Sequence, residues 1–114
     1  MRRFLFYKDD VFLGFVTYQE DDQPFHVGQF EPASGFSNLL SQYEISGQSK
    51  PSQVCPQVQP AIRRYGEHDV GIFGPGLRLV EETSGELVFE PQIVRITGSE
   101  IWWRGIKWHK GRRL

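Results

Sequence analysis

The sequence predicts an α+β fold: a single domain with one largely antiparallel sheet of about six strands and one or two helices packed on one face. Three observations predict it. Short β-branched and aromatic runs recur along the chain between Gly-, Pro- and Asp-containing turns, as strands require. Residues 34–44 switch to a helical period. The C-terminal stretch Ile93–Trp108 reads as two strands about Gly98-Ser99, because a tight primed turn needs the positive φ that Gly supplies.

Taken in order, residues 2–8 form a first strand with both faces apolar: Phe4 and Phe6 on one, Leu5 and Tyr7 on the other. Lys8-Asp9-Asp10 turns it into a second strand over 11–18. Residues 19–24 read as a polar, acidic loop. Phe25–Glu31 is a third strand, which Pro32 closes because it lacks a ladder donor. In the helix, Phe36, Leu39, Leu40 and Tyr43 share a face, Ser34 is the N-cap and Gly47 the stop. Residues 46–60 are irregular and proline-rich, with a short second helix expected near 57–66. Residues 66–76 read as loop, punctuated by Gly71, Gly74, Pro75 and Gly76. Leu77–Glu82 and Leu87–Thr97 are further strands, with Pro91 implying an edge position or a bulge. On the last strand Ile101, Trp103 and Gly105 share one face, and Trp102, Arg104, Ile106 and Trp108 the other. Gly105 marks a bulge or a close backbone approach.

The chain has 114 residues, which suits one domain with a real core, 1–114 throughout. Nine phenylalanines argue for a packed globule. A net charge of −1 excludes a general polyanion binder, but the charge is unevenly placed. Arg104, Lys107, Lys110, Arg112 and Arg113 lie in the last eleven residues with no acid among them. The remainder holds 8 basic against 14 acidic residues. Residues 109–114 read as a basic, frayed tail. Cys55 is the only cysteine, so neither an internal disulfide nor a cysteine zinc cluster can form. No run approaches the roughly 20 apolar residues that cross a bilayer, and the short apolar start is no signal peptide. A cytoplasmic setting, with no membrane partner, is expected.

Gln23–Pro32, Gly76–Val80 and Ile101–Arg104 together resemble a group of small bacterial proteins. Those proteins share an acidic loop, a strand ending in Phe-Glu-Pro, two helices and a C-terminal hairpin with a Trp. The resemblance covers most of the chain, departs from it at the prolines of residues 51–60, and implies no activity. Similar small α+β proteins serve as immunity partners of bacterial toxins, which adds an interaction role by analogy.

No catalytic set assembles. His68-Asp69 offers a His–carboxylate pair for a small enzyme, but loop neighbours need not face one another. Cys55 has no neighbouring charge to activate it. Glu20-Asp21-Asp22 lacks the ligand alternation of a calcium loop and reads as a patch that steers a basic partner. Neither cofactor nor metal is expected. The favoured function is a non-catalytic protein-interaction module, immunity-like or self-associating. Phe25, Trp102 and Trp108 are its candidate anchors, since interface hot spots favour large aromatics. The alternative is a nucleic-acid accessory protein acting through Arg104, Lys107, Trp108, Lys110, Arg112 and Arg113. The bland reading of that basic end is an edge strand kept soluble by its charge.

Overall fold

The computed structural model describes residues 2–22, 24–47, 62–109 and 112–113, without the side chains of 22 and 42–47. Strands dominate. β1 (Arg3–Lys8), β2 (Val11–Asp22) and β3 (Phe25–Pro32) form a meander that leads into α1 (Ser34–Gly47). β4 (Ile62–Gly66), β5 (Asp69–Phe73), β6 (Leu77–Glu81), β7 (Leu87–Thr97), β8 (Glu100–His109) and the short β9 (Arg112–Arg113) follow.

Six of these strands close on themselves in the order β1-β2-β3-β8-β7-β6, all antiparallel, with β6 returning to β1. The fold is a closed β-barrel, which corrects the expected open sheet with helices on one face. The physical reason lies in the inward face of every strand. Phe4, Phe6, Leu13, Val16, Phe30, Leu79, Phe89, Val94, Ile101 and Trp103 are buried and form one core. Side chains this large fill a small barrel without help from a helical layer. Closure also removes the free edges that an open sheet would present.

The apolar outer face of β1 has its own partners. Tyr7, Phe12 and Phe15 form a chain of ring contacts, 5.5 and 5.2 Å between centroids. The Arg3 guanidinium lies 3.9 Å above Phe15, and that of Arg78 lies 5.2 Å from Tyr7. Cations over ring faces keep this patch both covered and wet.

α1 does not lie on a sheet face. It follows Pro32 at the barrel end formed by Lys8, Val11, Thr97 and Glu100, where it touches β2 and β3. Phe36 packs edge-on against Phe30 at 5.0 Å, and Leu39 and Leu40 rest on the core.

Three further expectations are corrected. Residues 62–66 are strand β4, not part of a second helix; the rest of that helix, 57–61, lies outside the described residues, as does Cys55. Ile62 is pinned opposite Ile72 in the core, and this tertiary pairing overrides the helical spacing. The expected loop 66–76 contains β5, whose Val70, Gly71 and Ile72 are buried. The glycine that suggested a loop serves a close approach instead. Finally, β2 runs on through the expected acidic loop to Asp22, with Glu20 opposite Val27 and Asp21 opposite His26. Among the described residues of the basic tail, His109 ends β8, and Arg112 pairs with it from β9.

β7 pairs with three other strands. One of its edges pairs with β8 along its length. The other pairs first with β6, at Leu87 and Phe89, and then with β5, from Ile93 to Thr97. Pro91 sits in the gap between these two partners and beside a bulge. Opposite it, Gly105 leaves room for the backbone: an added β-carbon would lie 2.5 Å from the Glu90 carbonyl oxygen and 2.6 Å from the Gln92 nitrogen.

Candidate functional site: an aromatic and arginine stripe on the barrel wall

Alternation along β8 turns Trp103 into the barrel, fully buried, and turns Trp102 outward, 37% exposed. Trp102 then meets three neighbours on the outer wall. The Phe25 ring, from β3, stands 6.1 Å away. Glu100 accepts a hydrogen bond from the Trp102 indole N–H and fixes the ring. Arg95 is its register partner on β7, so the two side chains stand on the same face.

Arg95 carries the surface further. Its guanidinium lies 4.5 Å from the ring of Tyr65, which is 47% exposed on β4. Tyr65 reaches this position by crossing β5 above Gly71, where a β-carbon would come within 2.9 Å of its Cε2. Asp69 holds Arg95 in place through a two-pronged contact, 3.0 and 2.8 Å, and Thr97 donates to the same carboxylate at 3.3 Å. The Arg95 hydrogen bonds are the main reason that the Asp69 carboxyl titrates below its ordinary range, and they raise Arg95 in turn.

The result is a stripe, Tyr65–Arg95–Trp102–Phe25, that crosses five strands from β4 to β3. Neighbouring strands lie about 4.8 Å apart, so its members are spaced for contact in sequence. Arg104 projects from β8 beside it, opposite Ile93. Planar rings expose large contact area with few rotatable bonds, and a planar guanidinium stacks on ring faces, which suits recognition of a partner.

The remaining predicted residues go elsewhere. Glu20 and Asp21 do not form one patch, because strand alternation sends them to opposite faces. Asp21 faces His26, and one of its carboxylate oxygens is shared by the Tyr18 hydroxyl and His26 Nδ1. Behind them the His26 ring rests on Phe89 at 4.7 Å and on Trp103 at 5.7 Å. Asp22 is placed only by its backbone, opposite Phe25. Lys107 lies over Phe89 at 5.7 Å, on the rim of the barrel end away from α1. Trp108 is half-buried near that rim, and Arg113 pairs with it from β9. Lys110 lies outside the described residues.

His68 and Asp69 have different partners. Asp69 is committed to Arg95 and Thr97, while His68 occupies the turn between β4 and β5 and its carbonyl accepts from Gly98 N–H. Among the described residues, no three His, Cys, Asp or Glu side chains gather as a metal would need. Two members of the stripe, Tyr65 and Arg95, escaped the sequence reading. The usable signal was Gly71 within an apolar run, which marks a strand that something must cross. Among the described residues, no helix is long and apolar enough to cross a membrane. No family model, no curated protein and no solved structure matches this chain.

Proposed function

We propose that the chain is a non-catalytic interaction module that engages a protein partner through the stripe Tyr65–Arg95–Trp102–Phe25. The observation that carries this reading is the exposure of Tyr65 and Trp102 on one continuous wall, joined by an arginine that Asp69 holds through two hydrogen bonds. Tyr, Trp and Arg are the residue types that dominate interface energetics. A rigid anchor loses little side-chain freedom on binding. Glu20, from the strand next to Phe25, gives the rim a negative charge that steers a basic surface toward it.

The test places a photo-crosslinking phenylalanine analogue at position 102 in the expressing cell. A discrete protein adduct that disappears in Tyr65→Ser supports the reading. Adducts only to nucleic acid, or none, overturn it. Light scattering on the purified chain adds the self-association arm: a salt-resistant dimer that Trp102→Ser converts to monomer identifies a second copy as the partner.

A second reading, single-stranded nucleic acid, is favoured by the cations near this wall. Arg104 stands beside Trp102, and β9 brings Arg112 and Arg113 against the end of β8. Stacking on exposed rings next to arginines is how such strands are held. Binding that falls steeply with salt separates it from the protein reading.

A further inference from the structure

The barrel end away from α1 carries a feature that the stripe does not use. A cavity of about 510 Å³ opens there, lined by residues of β6, β7 and β8 together with Arg2 and with Glu86 from the β6–β7 connection. That size falls in the range of small-molecule sites, roughly 300–1,000 Å³. Its apolar wall is Leu87, Val88 and Trp108. Its polar groups are unequal in an informative way.

Glu81 is already neutralised. Arg2 bonds it at 3.0 and 2.9 Å, and Ser84 donates to it at 3.1 Å. The Arg2 bond, with that of Ser84, holds its carboxyl below the ordinary range. Lys107 differs: it has no carboxylate partner among the described residues, and its ammonium group sits at the rim over Phe89. His109 joins it in the wall, and β9 adds Arg112 and Arg113 next to His109 and Trp108. Glu86 is the one lining acid without a basic partner among the described residues. Trp108 also leaves its indole N–H buried with no acceptor among the described residues, a deficit that a bound polar group would relieve.

We infer that this rim cavity binds a small organic anion, with a planar apolar body against Trp108, Leu87 and Val88 and an acidic headgroup against Lys107. An unpaired ammonium beside an aromatic and aliphatic wall meets the needs of both halves of such a molecule. The site is separate from the stripe, so it stands or falls without the protein-partner reading.

The probe is anilinonaphthalene sulfonate, a planar body with one anionic group, followed by its own fluorescence and by energy transfer from tryptophan. The expected result is saturable one-to-one binding to the folded protein. Lys107→Glu weakens it at least tenfold, Lys107→Gln weakens it less, and Glu86→Gln tightens it several-fold. Lys107 and Glu86 are exposed, so all three variants keep the native far-ultraviolet dichroism. Trp102→Ser leaves affinity unchanged. Equal affinity in Lys107→Glu, loss of binding in Trp102→Ser, or no saturable binding overturns the site. Competition assigns the headgroup's share. Displacement by benzoate supports the composite ligand, and displacement by inorganic phosphate alone overturns the role of the apolar wall.

Discussion

The ring of Tyr65 lies across the backbone of Gly71, close enough that a single added carbon would sit 2.9 Å from Cε2. This contact sets one end of the stripe. Gly71→Ala adds that carbon against the far end of a mobile side chain, so Tyr65 moves and the barrel stays. The expected outcome is an unchanged melting temperature within a few degrees, with partner binding weakened as much as in Tyr65→Ser. Calorimetry and crosslinking yield at position 102 check the two halves.

Gly105 behaves in the opposite way. A β-carbon there meets only backbone: Glu90 oxygen at 2.5 Å, Gln92 nitrogen at 2.6 Å and the Pro91 α-carbon at 2.7 Å. None of these can swing aside. Gly105→Ala is expected to destabilise the barrel by about 1–3 kcal/mol, as overpacking does. Urea unfolding measures it, with Gly98→Ala as a contrast, since Gly98 has open space around it and only its φ of 62° to strain.

The adjacent tryptophans separate stability from binding. Trp103→Ala empties the centre of the aromatic core and is expected to cost about 3–5 kcal/mol. Trp102→Ala removes an outer ring and is expected to cost under about 1 kcal/mol. Binding of the partner is lost in the second variant while the fold remains.

The Asp69–Arg95 contact makes a pH prediction. The folded-state value of Asp69 is depressed, so its contribution is fully present above the unfolded aspartate value of about 3.9. It is lost as pH falls below that value through the folded one. The stability gap between wild type and Asp69→Asn should therefore be constant above about pH 4 and close progressively as pH falls below it. Melting curves between pH 2 and 7 test the sign. Arg95 should also lose its fixed pose in Asp69→Asn, weakening the stripe at neutral pH.

Much of the barrel was legible as strands and turns, because alternation and glycine turns are local signals. The hairpin about Gly98-Ser99, the opposite faces of Trp102 and Trp103 and the tight spot at Gly105 could all be read from β8 and its neighbours; which face turns inward could not. Closure could not. It depends on β3 meeting β8 and β6 meeting β1, pairings between residues far apart in sequence. The two apolar faces of β1 were a hint, but a buried central strand gives the same pattern. The stripe was half legible for a similar reason: Phe25 and Trp102 are conspicuous aromatics, whereas Tyr65 and Arg95 become neighbours only when β4, β5 and β7 are laid side by side. The acidic run misled because Glu20 and Asp21 sit in an extended strand, which divides adjacent charges between opposite faces.

The late place of β8 in the chain also implies an order of events during synthesis. β1, β2 and β3 can pair as soon as they are made, but the wall stays open until β8 arrives to bridge β3 and β7. Until then the aromatic interior of a growing chain has no roof, and its exposed strands can pair with those of other copies. A ring that is locked by so late a segment folds slowly for its size, because its decisive contacts span most of the chain. The translating cell therefore handles an adhesive half-barrel before it owns a finished one.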